Sequence, residues 1–157
     1  LSSDKERREH GFVERHIAER LDGLCDRVAA DTSPQVVRLP RLMHRIARFE
    51  GTLRSHIDDA DILHALHPTP AVGGYPAADA LEYLRTFSPV SRGWYSGPVG
   101  FVSAQSAEFA VAIRSALITP RQVAFFAGAG IVEGSKAEAE WRELDNKLRS
   151  LLEAFST

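Results

Sequence analysis

The segment that decides the fold is Phe126-Ala127-Gly128-Ala129-Gly130-Ile131-Val132-Glu133-Gly134-Ser135. An apolar strand pattern ends at its first two glycines, and a helical pattern with Glu140, Glu143 and Lys147 follows. These three side chains share one helical face, because residues three and four apart are neighbours on a helix. Two carboxylates and an ammonium beside a glycine turn predict a site for a hydrated divalent cation and an anionic ligand.

The two glycines have two interpretations. Lacking a Cβ, Gly128 and Gly130 let the backbone approach a ligand closely and present N–H groups to an anion. Glycines also end strands as plain turns. The pair is not a dinucleotide-binding fingerprint, because the third glycine and the parallel βαβ context are missing.

The composition is that of an ordinary globular domain and excludes several classes of function. The 157 residues are 44% hydrophobic and 25% charged, with a net charge of −2. This balance gives no electrostatic argument for binding nucleic acid or an anionic membrane. The single cysteine, Cys25, cannot form an internal disulfide, and the longest apolar run, 123–132, is about half of what a membrane-spanning helix needs. We expect a cytoplasmic protein with neither nucleic-acid nor membrane partners.

Periodicity along the chain predicts an α+β fold with an antiparallel sheet packed against helices. Residues 67–75 form a loop rich in proline and glycine. The predicted helices are 4 to about 30, 58–66, 76 to about 87 and about 137–155; the predicted strands are 35–42, 44–53, 96–103, 108–118 and 122–127.

Acidic residues stand at the start of both long helices. Glu6 and Glu9 continue the apolar stripe of the first helix, while Glu140 and Glu143 flank the stripe of the last. Each pair has a plain explanation, because acids near a helix N-terminus interact favourably with the helix dipole and with water. Taken as a pair of helix starts, they also offer the hard carboxylate oxygens that Mg²⁺ prefers.

Two further side chains are candidates for a site. Arg114 lies in the predicted strand 108–118 on a face that otherwise carries alanines, which leaves room for a bidentate grip on a carboxylate. The alternative is a surface arginine on a solvent-facing strand. His44 lies in another predicted strand, where a single histidine is more often structural than catalytic.

Three motifs together resemble the chorismate-utilising enzymes, and within them the isochorismate synthases. The segment Leu1-Ser2-Ser3-Asp4-Lys5-Glu6-Arg7-Arg8-Glu9-His10 resembles the helix start of that family that carries metal-site acids. His67-Pro68-Thr69-Pro70-Ala71 resembles the isochorismate synthase form of a loop that differs in the anthranilate and salicylate branches. Arg92-Gly93-Trp94-Tyr95-Ser96-Gly97 and Gly128-Ala129-Gly130-Ile131-Val132 resemble segments shared across the family.

The resemblance implies a Mg²⁺ cofactor and a substrate pair, chorismate and isochorismate. Glu9 and Glu143 would bind the metal directly or through water, with Glu6 and Glu140 close behind. The metal would hold the ring carboxylate of chorismate, and Lys147 would lie beside that carboxylate.

The resemblance also implies how the rest of the substrate is held. Tyr95 and Arg114 would grip the enolpyruvyl carboxylate, helped by the backbone of Gly128 and Gly130. Ala71 would line the substrate site, and His44 would sit near the ring hydroxyl that leaves.

The resemblance further implies that residues 1–157 are the C-terminal part of a single chorismate-binding catalytic domain. The general base, a lysine, and the general acid, a glutamate, stand in the N-terminal part of such enzymes, and nothing in this sequence matches them. We therefore expect this chain to need that N-terminal part to complete its fold and site, and to expose unpaired sheet edges alone.

Three functions are compatible with the sequence. The first is an isochorismate synthase that serves menaquinone or siderophore biosynthesis. The second is a salicylate synthase of the same family, which would also eliminate pyruvate. The third is a non-catalytic chorismate-binding or assembly module.

Overall fold

A computed structural model describes the backbone of residues 4–31, 35–39, 42–88 and 90–154, and the side chains of these except at 4–6, 38, 39, 42–44, 150 and 154. Within these residues the chain forms helices and antiparallel strands, which confirms the predicted α+β class. The helices are α1 (Asp4–Leu24), α2 (Asp59–Leu66), α3 (Pro70–Gly73), α4 (Ala77–Phe87) and α5 (Ala137–Ala154). The strands are β1 (Cys25–Ala30), β2 (Gln35–Leu39), β3 (Leu42–Ile46), β4 (Phe49–Leu53), β5 (Pro98–Val102), β6 (Ala107–Val111), β7 (Ser115–Ile118) and β8 (Val123–Phe126).

The described strands pair in four separate two-stranded sheets. The pairs β2–β3, β5–β6 and β7–β8 join strands that follow one another in the chain, and the fourth sheet joins β1 to β4. Each of these strands thus has one paired edge, and its other edge carries N–H and C=O groups that no described strand satisfies. The prediction of unpaired sheet edges is confirmed.

The chain exposes far more surface than a compact protein of its size. Its accessible surface is 12146 Å², whereas a folded monomer of this mass exposes about 7,800 Å². Among the described side chains, Cys25 is the only buried hydrophobic one, and large apolar residues on the strands, such as Phe101 and Ile118, are exposed. The apolar faces of the sheets therefore lie open instead of forming a closed core.

Helix α1 ends at Leu24, so the prediction of helix up to about residue 30 was wrong over its last six residues. The segment Cys25–Ala30 pairs antiparallel with Phe49–Leu53, with a register shift between Cys25 and Arg27. A partner strand some twenty residues later decides this conformation, and the local apolar pattern does not contain that information.

Two predicted strands are each divided in the structure. The span 44–53 is split between β3 and β4. The span 108–118 is split between β6 and β7, because the backbone turns at Ile113 and Arg114. The Ile113 N–H donates to the carbonyl of Val111 over 2.8 Å, and Arg114 has φ of 50°, in the left-handed region.

The short helices agree closely with their predicted positions. Asp58 caps α2 through its side chain, which accepts hydrogen bonds from the N–H groups of Ala60 and Asp61. Pro76 occupies the N-cap position of α4 without a side-chain capping bond, so the helix begins at Ala77, one residue later than predicted. The loop 67–75 contains one turn of helix, α3, that the sequence did not predict. The predicted end of α5 at residue 155 lies outside the described residues.

No helix in the described part of the chain is both long and apolar enough to cross a membrane.

Candidate active site

The glycine segment, Gly128-Ala129-Gly130, follows strand β8 and begins the connection to helix α5. It is the centre of the candidate site. It lies between α1, α5 and the turn that carries Tyr95, as the contacts described next establish. Two hydrogen bonds fold the chain between the segment and α5. The Val132 N–H donates to the Ser135 hydroxyl over 3.1 Å, and the Ser135 N–H donates to the Val132 carbonyl over 2.9 Å.

Helix α5 reaches the glycine segment through Lys147. The Lys147 ammonium donates to the Gly128 carbonyl over 2.9 Å and to Oε1 of Glu143, one turn earlier, over 2.6 Å. The lysine side chain is 24% exposed and that of Glu143 is 44% exposed. Lys147 therefore links the glycine segment to Glu143.

Helix α1 contacts the same segment through Glu9. A methyl group placed on Gly130 would lie 3.2 Å from Oε1 of Glu9, and that oxygen is buried. On α5, Glu140 is almost wholly buried, at 6% exposure. Glu9 of the first helix and Lys147 of the last thus contact the same three residues of backbone, although more than a hundred residues separate them in sequence.

Tyr95 also lies against the glycine segment. A methyl group placed on Gly128 would lie 2.6 Å from the Tyr95 hydroxyl, and the tyrosine ring stacks on Phe126 with centroids 5.9 Å apart. The next residue, Ser96, is buried and has φ of 68°, a conformation that costs a non-glycine residue free energy. Its N–H donates to the Ala112 carbonyl over 2.9 Å, which fixes this turn against the end of β6.

The loop 67–75 packs through α3 against α1. The Phe12 ring on α1 stacks on Tyr75 at the end of the loop, with centroids 5.2 Å apart. Burial lowers the pKa of His67 below its usual 6.5, because the charged imidazolium loses hydration there. Ala71 lies in α3 and is exposed.

Arg92 is not among the predicted site residues, although it lies in a motif that resembles a family segment. The structure joins Arg92 to the loop 67–75, because its guanidinium donates to the Val72 carbonyl over 2.8 Å. The feature that marks Arg92 as important is the half-burial of its charged side chain, which is visible only in the folded chain.

The remaining predicted site residues are not placed against the glycine segment by any described contact. Arg114 is exposed and lies in the break between β6 and β7, so its predicted place on a strand face among alanines was wrong. It follows Ala112, the partner of Ser96, by two residues. Glu6 lies in α1 and His44 in β3, but their side chains lie outside the described part of the structure.

The described acids do not form a complete metal cage. No three histidine, cysteine or acidic side chains whose positions are described converge closely enough to hold a metal ion by themselves. The donor chemistry nevertheless suits Mg²⁺, because a hard carboxylate oxygen of Glu9 lies against Gly130 and the Glu143 carboxylate is joined to Gly128 through Lys147. Mg²⁺ usually completes its octahedron with water and substrate oxygen.

The fold and this site define a class of protein. A family model described as "Chorismate binding enzyme" matches residues 1–156, so the chain belongs to the chorismate-binding enzyme family. The resemblance inferred from the motifs is confirmed.

The relatives narrow the class. The chain is 43% identical to a chloroplastic isochorismate synthase of Catharanthus roseus, over 94% of this chain and 26% of the relative. It is 40% identical to isochorismate synthase MenF of Escherichia coli, over 98% of this chain and 36% of MenF. The solved structure of that menaquinone-specific enzyme superposes with a TM-score of 0.80 over 96% of this chain and 35% of the MenF chain. This chain thus spans between about a quarter and a little more than a third of the length of these relatives.

We propose, on the family resemblance alone, that Arg114 holds a substrate carboxylate, although its side chain is exposed in this structure. Arg114→Lys retains the positive charge and the left-handed backbone but removes the planar fork. In an active enzyme that contains this chain, we expect the substitution to lower kcat/KM for chorismate at least about tenfold, or about 1.4 kcal/mol. Steady-state kinetics test this, with the exposed Arg121→Lys as the matched control. Kinetics equal to those of the unmodified enzyme would show that Arg114 only faces solvent.

Proposed function

We propose that this chain is the C-terminal part of the catalytic domain of an isochorismate synthase. By the complete enzyme we mean this chain together with the N-terminal part of that domain. The proposal rests above all on the meeting of Glu9, Tyr95 and the Glu143–Lys147 pair around the glycine segment. The identity of 40% and above with isochorismate synthases supports it.

In the proposed reaction, water adds to one ring carbon of chorismate while the hydroxyl group on another ring carbon leaves. The incoming water loses a proton to a general base, and the departing hydroxyl gains one from a general acid. Substrate and product have the same composition, so the reaction is an isomerisation that needs no oxidant. We assign the base, a lysine, and the acid, a glutamate, to the N-terminal part of the complete enzyme.

Mg²⁺ is the proposed cofactor. Glu9 and Glu143 would bind it directly or through water, and Glu6 and Glu140 would support them. When bound, the ion supplies positive charge that holds and polarises the ring carboxylate of the substrate. The Lys147 ammonium, fixed between Gly128 and Glu143, adds a second positive charge on the same side.

The other substrate carboxylate, on the enolpyruvyl group, is assigned to Tyr95, Arg114 and the glycine segment. Tyr95 donates its hydroxyl and Arg114 its guanidinium, while Gly128 and Gly130 allow the backbone to come close enough for N–H donation. Ala71 lines the site with a small side chain, and His44 is assigned to the neighbourhood of the leaving hydroxyl. As the family resemblance implies, we propose menaquinone or siderophore biosynthesis as the pathway of the product, and the similarity to a menaquinone-specific enzyme supports the first of these.

The product of the complete enzyme tests this function. We expect chorismate and Mg²⁺ to give isochorismate as the main product by chromatography. The reaction should be reversible, so that reactions started from chorismate and from isochorismate reach the same equilibrium mixture. Salicylate with an equal amount of pyruvate, formed without any added lyase, would replace the proposal by salicylate synthase. Tight binding of chorismate without turnover would replace it by a non-catalytic module.

A further inference from the structure

The loop 67–75 is held together mainly by its own backbone. The N–H groups of Val72 and Gly73 donate to the Thr69 carbonyl over 3.1 and 2.8 Å, and that of Gly74 donates to the Pro70 carbonyl over 3.0 Å. Pro68 fits against Gly73, where an added methyl group would lie 2.8 Å from Cγ of the proline ring. These contacts make α3 a compact unit, but they do not orient it relative to the Tyr95 turn.

Arg92 supplies an orienting contact. Its Nη1 donates to the Val72 carbonyl over 2.8 Å in a half-buried position, twenty residues away in sequence. Helix α3 ends one residue later, so this carbonyl is among those that a short helix leaves without an intrahelical partner. A guanidinium is well suited to it, because cations interact favourably with the C-terminal carbonyls of a helix and charge-assisted hydrogen bonds are strong.

The same arginine also builds the turn that carries Tyr95. The Arg92 carbonyl accepts the N–H of Tyr95 over 2.9 Å, and the Tyr95 hydroxyl lies against Gly128. A continuous chain of contacts therefore runs from the residue next to Ala71, through Arg92 and Tyr95, to the glycine segment.

We propose that Arg92 is a positioning residue that fixes Ala71 relative to Tyr95 and thereby restricts the fate of the product. This inference rests on the proposed function. The reaction it restrains is the elimination of pyruvate from isochorismate. In that step the bond between the ring carbon and the enolpyruvyl oxygen breaks and a ring hydrogen moves to the enolpyruvyl methylene, which yields salicylate and pyruvate without an added reactant. A loop that shifts relative to Tyr95 lets the bound product adopt the conformation that this transfer requires.

The test compares product ratios in the complete enzyme. Arg92→Ala removes the contact, Arg92→Lys keeps the charge without the fork, and Arg85→Ala, at an exposed arginine in the last turn of α4, is the matched control. After equal consumption of chorismate, the ratio of salicylate to isochorismate should rise at least about tenfold in Arg92→Ala, rise less in Arg92→Lys and stay unchanged in Arg85→Ala. Amide hydrogen exchange in residues 69–74 should become faster in both Arg92 variants.

An unchanged ratio in active Arg92 variants would overturn the inference, even if their overall rate falls. If Arg92→Ala does not fold, the ratio of salicylate to isochorismate formed by Arg92→Lys tests the inference. A wild-type enzyme that yields no isochorismate at all would instead refute the proposed function, so the two failures are distinguishable.

Discussion

Glu143→Gln is expected to abolish most of the activity of the complete enzyme. The substitution keeps the size of the side chain but removes a negative charge from the proposed metal site, and it also removes the ion pair to Lys147. Losing a charged metal ligand commonly costs several kcal/mol of transition-state stabilisation. We expect kcat/KM to fall at least about a hundredfold, or about 2.7 kcal/mol, and the concentration of Mg²⁺ needed for half-maximal rate to rise.

Two controls separate the metal from the ion pair. Glu138→Gln removes an exposed acid from the first turn of the same helix and should leave both quantities unchanged. Lys147→Gln removes the same ion pair while leaving the carboxylate, so it should lower the rate without raising the Mg²⁺ requirement to the same extent. Wild-type activity of Glu143→Gln at low Mg²⁺ and saturating chorismate would refute the metal assignment.

A polypeptide of these 157 residues alone is expected to have no measurable activity. Its described sheets each contain two strands, and its surface exceeds that of a compact protein of this mass by several thousand Å². The proposed general base and acid are assigned to the N-terminal part, and such groups contribute typically about 10²–10⁴-fold each. The rate without either group should therefore fall below detection.

The measurement is an assay of the purified chain, with its mass verified, in the presence of chorismate and Mg²⁺. Adding the separately produced N-terminal part should restore turnover if the two pieces pair their sheet edges, and the mixture should expose less apolar surface to a hydrophobic dye than its components do. Robust turnover by the 157-residue chain alone would contradict the assignment of the catalytic pair to the other part.

Motifs and periodicity predicted much of the fold and the centre of the site. The sequence was sufficient for α2, α4 and α5, because the Asp58 cap of α2 and the apolar stripes of helices are local properties of the chain. It was also sufficient to bring Glu143 and Lys147 together, since a helix makes residues four apart neighbours. The motifs also indicated the family, and the family model that matches residues 1–156 confirms it.

Tertiary structure alone decided the features that depend on distant partners. Cys25–Ala30 is a strand because Phe49–Leu53 pairs with it, and Arg114 lies in a break because the backbone turns between β6 and β7. The contact of Glu9 with Gly130 and that of Arg92 with Val72 join residues far apart in sequence. Local periodicity specifies which residues form a helix or a strand, whereas only packing and hydrogen bonding between distant segments specify which elements meet.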